Sequence, residues 1–293
     1  MKTPNQIEKA LTKNAAILHG FLKAPKRQQN TFSDLVAESR QVFDELRTAQ
    51  GFKSSAKLLS GDISKLNKDA TSILGLALLP AEHSGLANLC AFSDSCADSC
   101  VAFSGNGSFP TVYRSRLAKT ELLLDYPLAF MTLLVSELFE AWNKNQNLAV
   151  RLNTYSDIRW ERVAPWLFEL FSGVQFYDYT KHTTKSRPAD SLPQNYHLTY
   201  SISERTTATE LQRNADIQRP LAVVVSIRSG KQSTTGEMRP IPKTWRGMPT
   251  VDGDSSDARW TTPQGSVVIL RRKHTLAKNA PMISHAEKLE NLK

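Results

Sequence analysis

The chain has 293 residues, with 37 lysines and arginines against 28 aspartates and glutamates, for a formal net charge of +9. Its 40% hydrophobic content supplies enough apolar side chain for a large core, which excludes a disordered or collagen-like polymer. No apolar run reaches the ~18 residues of a membrane span, and the start MKTPNQIEKA lacks the apolar block of a secretory signal, so a cytoplasmic protein with no membrane partner is expected.

The charge is uneven along the chain. Residues 1–60 carry 10 basic and 5 acidic side chains, residues 61–218 carry 14 and 17, and residues 219–293 carry 13 and 6. Basic flanks around a near-neutral middle suit a polyanionic partner such as nucleic acid, although many mildly basic proteins bind none.

In chain order, residues 5–22 and 31–50 read as helices. Ile7, Leu11, Ala15, Leu18 and Leu22 recur at helical spacing in the first, and Phe32, Leu35, Val36, Phe43 and Leu46 in the second. Ser33 and Asp34 are the expected cap of the second. Residues 1–60 thus read as a basic helical extension. The run ILGLALL (73–79) stops at Pro80 as a buried strand does. Helices follow near 110–124 and 127–144, then a strand at 148–153, a helix at 160–171, and strands at 174–179 and 196–202. A helix at 203–215 and strands at 221–227 and 266–270 complete the pattern. Strands alternating with helices predict an α/β fold with a parallel sheet. No Gly-x-Gly-x-x-Gly turn or Walker motif is present, so a full or partial TIM-like (β/α) barrel over residues 61–275 is the expected architecture. Residues 276–293 read as a basic tail.

The three cysteines, Cys90, Cys96 and Cys100, all fall in one loop spanning 83–107. An odd count argues against a disulfide framework. Thiolates at this spacing suit Zn²⁺ or an iron–sulfur cluster, with His83 the nearest fourth ligand and Asp94 and Asp98 weaker ones. Three buried structural thiols are the alternative.

Chemistry in (β/α) barrels sits at the carboxyl ends of the strands. Here those ends read Arg151-Leu152-Asn153-Thr154-Tyr155-Ser156-Asp157, then Phe176-Tyr177-Asp178-Tyr179-Thr180-Lys181, then Thr199-Tyr200-Ser201-Ile202-Ser203-Glu204. Helix capping by Ser156, Asp157 and Ser203 is the competing reading. Residues 229–264 show no clear element and interleave Lys243, Trp245, Arg246, Arg259 and Trp260. These are candidate nucleic-acid contacts, basic side chains on phosphates and tryptophans on bases, with a plain surface loop as the alternative. The acidic run VDGD (251–254) reads as a turn, a cation site or part of the mouth.

The order GLALLP, the cysteine loop, RLNTYSD, VQFYDYTK, YHLTYSISE and VDGD resembles the phage-encoded DpdA group of DNA-guanine transglycosylases, distant relatives of tRNA-guanine transglycosylases. The resemblance covers roughly residues 73–270. It implies a TIM-type barrel and exchange of guanine in double-stranded DNA for a free 7-deazaguanine (preQ0-type) base, a modification by which a bacteriophage evades restriction. Retention at C1′ implies a double displacement through one carboxylate, with a second group handling protons. On that reading Asp178 is the nucleophile and Asp157 the acid/base or base-recognition group, or the reverse. Asn153, Ser201 and Ser203 hydrogen-bond the base and Tyr177 or Tyr179 stacks on it, once the base is flipped out of the duplex. The pattern departs from the tRNA enzymes in its early cysteines. An iron–sulfur radical-type enzyme and a non-catalytic zinc-containing nucleic-acid-binding protein are the rival expectations.

Overall fold

The computed structural model describes residues 1–24, 29–61, 71–232, 235–273 and 276–291. The chain is α/β, with mostly parallel strands, and divides into two compact units. The first comprises Met1–Ala91, Ser108–Phe176 and Pro193–Tyr196; the second comprises Phe92–Gly107, Tyr177–Leu192 and His197–Lys293.

The first unit opens with α1 (Pro4–Leu22). The Thr3 hydroxyl accepts from the Gln6 N–H, the Gln6 side-chain oxygen accepts from the Thr3 N–H at 2.8 Å, and Pro4 fills the first turn where no N–H is needed. Ile7, Leu11, Ala15 and Leu18 form its buried stripe. This stripe packs on α5 (Pro127–Lys144), so the N-terminal helices are part of the first unit's body and not an appendage to it. In α2 (Gln29–Ala49), Ser33 and Asp34 lie inside the helix and do not cap it.

The strands β1 (Leu59–Gly61) and β2 (Ser72–Leu76) pair antiparallel. Residues 62–70, between them, lie outside the described residues. Beyond β2, β3 (Leu148–Arg151) and the start of β4 (Gln175–Thr180) add in parallel. The short strand β1 is anchored by buried side chains of two helices. Glu137 of α5 accepts from the Leu58 and Leu59 N–H groups at 3.0 and 2.9 Å, and from Arg40 at 2.9 Å. Lys119 of α4 (Pro110–Asp125) donates to Leu58 O at 2.6 Å.

A single helix was expected at 160–171, but Pro165 breaks it. Ala164 before the proline is pushed to φ −147° and ψ 67°, between Trp160–Val163 and Pro165–Leu170.

In the second unit the chain completes β4 and β5 (Tyr196–Ser201). Then β6 (Leu221–Arg228), β9 (Val267–Arg272) and β8 (Met248–Asp252) run parallel in the order β5-β6-β9-β8, and β7 (Thr244–Trp245) closes a hairpin with β8. The segment expected to be elementless therefore holds two strands. Pro249 and the Arg246-Gly247 turn masked β8 in the sequence, because proline is rare in inner strands. Helix α8 (Ala208–Asp216) is capped by Thr207. The expected basic tail holds α9 (Pro281–Glu290), which packs on β6 through Ala286 and Leu289 beside Leu221, Val223 and Ile269.

Among the described residues no single helix is long and apolar enough to cross a membrane. The bent pair α4 and α5 passes that test only when its two members are taken together.

Candidate functional site

The loops that follow the parallel strands carry most of the polar side chains singled out in the sequence. In the first unit, the loop after β3 is organised by Asn153. Its Oδ1 accepts from Ser156 Oγ at 2.9 Å, from the Ile158 N–H at 2.9 Å and from Trp160 Nε1 at 3.3 Å, while Nδ2 donates to Ile158 O at 2.9 Å. An amide bonded in this way builds the loop, a different role from the base contact expected of Asn153. Ser156 serves the same network, and neither it nor Asp157 is a helix cap. The Asp157 N–H donates to Leu89 O at 2.8 Å, and Cys90 Sγ donates to Tyr155 O at 3.2 Å, so the loops after β2 and β3 are stitched together. Asp157 is buried, whereas His83 is exposed.

In the second unit, the cysteine loop meets the ends of β4 and β5. Here Glu204 is held from one side only. Its Oε1 accepts the Ser95 N–H at 2.8 Å, while its Oε2 and the neighbouring Ser95 Oγ are buried without a partner. Next to Ser95, Cys96 Sγ accepts from Lys181 Nζ at 3.7 Å. Asp94 is clasped by the Arg205 guanidinium, with one bond of 2.6 Å. His182 lies edge-on to Phe92, with Nδ1 3.2 Å from Ser186 Oγ. A carboxylate with one oxygen fixed and one uncommitted, held by the neighbour of a thiol that accepts from an amine, is equipped for nucleophilic or acid–base work.

Other sequence candidates fall elsewhere. Ser203 is buried in a turn, where its N–H donates to Thr206 Oγ1 at 3.0 Å; Ser201 is half-buried at the end of β5. Asp178 is fully buried on β4. Successive strand residues face opposite ways, so Asp178 shares a face with Phe176 and Thr180, while Tyr177 and Tyr179 occupy the other. Asp178 and its expected stacking partners therefore do not line one pocket. Tyr177 is itself buried: its hydroxyl donates to Asp257 Oδ2 at 2.8 Å and its ring lies 5.0 Å from that of Trp260.

Of the five expected nucleic-acid contacts, Lys243 is exposed and Trp260 half-buried. Trp245 is 1% exposed and belongs to the core beside Ile269 and Leu289, so it cannot stack on a base. Arg246 donates to Leu289 O near the end of α9, and Arg259 is turned inward. The acidic run is an ion-paired turn. Arg271 bonds Asp252 through two nitrogens, at 2.6 and 2.8 Å, and Lys273 bonds Asp254 at 2.9 Å. The Arg271 bonds hold the Asp252 carboxyl below its ordinary pKa.

Among the described residues, no group of three or more His, Cys, Asp or Glu side chains is gathered as for a metal ion.

Glu204 and Lys181 were within reach of sequence reasoning, since both end strand motifs quoted for their polarity. The Ser95 contact that singles out Glu204 was not, because it joins positions more than a hundred residues apart.

Comparison with curated proteins and with solved structures finds no match. Residues 49–286 match the family described as Gene product 88, and the chain belongs to that family.

Proposed function

We propose that the chain is a cytoplasmic glycosyltransferase that exchanges guanine in double-stranded DNA for a free 7-deazaguanine base, as its resemblance to DNA-guanine transglycosylases implies. The reading takes the parallel strands as a partial TIM-like barrel with chemistry at their carboxyl ends. The observation that supports it best is the Glu204 carboxylate, with Oε1 fixed by the Ser95 N–H and Oε2 buried and unpartnered.

On this reading Glu204, rather than Asp178 or Asp157, is the attacking carboxylate. Oε2 bonds to C1′ as the C1′–N9 bond of guanine breaks, and Lys181 gives the leaving base its proton. The incoming base loses its N9 proton to Lys181 and displaces Glu204, so both nucleoside bonds share one configuration. No step passes through a metal. Zinc or an iron–sulfur cluster on Cys90, Cys96 and Cys100 is a separate expectation, which metal analysis of the purified protein checks.

Nucleoside mass spectrometry of DNA from cells that express the chain, with 7-deazaguanine precursors supplied, tests the reading. Deazaguanine nucleosides in DNA are expected. Their absence from DNA while the precursor is demonstrably present would contradict it.

A further inference from the structure

Native proteins leave few buried polar groups unpaired, because each costs about 1–3 kcal/mol. In the second unit three such atoms are His197 Nε2, Thr199 Oγ1 and Arg259 Nε. His197 and Thr199 are two apart on β5, so their side chains share one face. Arg259 lies close enough to His197 for its charge to act on the imidazole. Burial, then Arg259, push the His197 pKa down to about 4, so the ring is neutral near pH 7. Arg259 sits on a short 3₁₀ turn with Trp260, is 3% exposed, and has a long 3.4 Å bond to Gly253 O. Asp257, two residues before it, turns its Oδ2 to Tyr177 instead. Thr199 is fully buried.

A buried guanidinium with no described carboxylate paired to it is costly unless an anion completes it. Arg259 Nε–H, the Thr199 hydroxyl and, in the tautomer protonated there, a neutral His197 Nε2–H are three donors of the kind a tetrahedral oxyanion accepts. Trp260 and His197 are half-buried, so this group lies near the surface of the unit. We propose that Arg259, His197 and Thr199 form a binding site for the phosphate group of a small molecule. The site is separate from the Glu204 group and does not depend on the base-exchange reading. Its phosphate comes either from free inorganic phosphate or from a nucleotide whose base rests on the neighbouring Trp260.

Titration calorimetry on the full chain tests this, with inorganic phosphate and guanosine monophosphate as probes. Binding of at least one probe is expected. A tighter nucleotide identifies the nucleotide source, and equal or tighter inorganic phosphate identifies the free ion. Thr199→Val, which keeps the side chain's shape, should weaken binding about tenfold by removing one hydrogen bond to a charged group. Arg259→Gln should abolish it. No heat with either probe overturns the proposal, as does unchanged binding in Thr199→Val. Should Arg259→Gln fail to fold, Thr199→Val decides alone.

Discussion

Single residues divide sharply into those that build the chain and those left over for chemistry. Gly253 of the VDGD run shows the first kind. A Cβ there would come within 2.6 Å of Val268 Cγ1 and 2.7 Å of Leu270 Cδ2, so the turn lies against β9 only because the residue is glycine. Gly253→Ala is expected to lower stability by about 1–3 kcal/mol, the usual cost of overpacking, measurable by urea denaturation. The two tryptophans named together in the sequence part company in the same way. Trp245→Ala should cost about 3–5 kcal/mol as a core deletion, whereas Trp260→Ala, at a half-buried position, should cost clearly less in the same experiment. Composition could not separate them, because both flank basic residues in a proline-rich stretch; burial depends on which strands close over them.

At the scale of elements, long periodic segments were legible and short ones were not. The helices α1, α4 and α5 fall within a residue of their expected bounds, and each apolar run read as a strand holds one. The strands β1, β7 and β8 escaped, being two to five residues long and held by distant partners. For β1 those partners include Lys119, whose amine is buried against Leu58 O, and burial pushes its pKa down to about 8. The unfolded chain holds this proton up to about pH 10.4, so between about 8 and 10.4 it binds more protons than the folded one and stability rises with pH. Lys119→Met should flatten that rise, as read from the difference in thermal midpoints between variant and parent across the window. The ion-paired turn offers a companion test. Arg271→Met leaves two carboxylates without their buried partner and should cost about 3 kcal/mol.

Over the whole molecule, the surplus of positive charge is smaller at the surface than in the composition. In the C-terminal flank, Arg246, Arg271 and Arg272 are tied to the chain's own oxygens and Arg259 is buried, while Lys231, Lys243, Lys278 and Lys288 remain exposed. If DNA is the partner, replacing those four lysines with alanine should reduce the slope of log affinity against log salt by about 3.6, at about 0.9 per phosphate contact. Such a partition of charge could not be read from the sequence, which counts an arginine the same whether it faces water or a carboxylate. The same limit hid the candidate site. Aspartates at strand ends were visible as residue types, but the carboxylate with an uncommitted oxygen is Glu204, distinguished by a single contact from the cysteine loop.

The most direct measurement of the base-exchange account is incorporation of a mass-labelled 7-deazaguanine into guanine-containing duplex DNA by the purified full chain, compared with Glu204→Gln and Asp178→Asn, each first shown to be folded. Incorporation by the parent and by Asp178→Asn, with loss of at least a hundredfold in Glu204→Gln, is the predicted result, on the scale that removal of a catalytic acid–base or nucleophilic group typically costs. Exchange at parental rates in Glu204→Gln, or none by the parent, would contradict it.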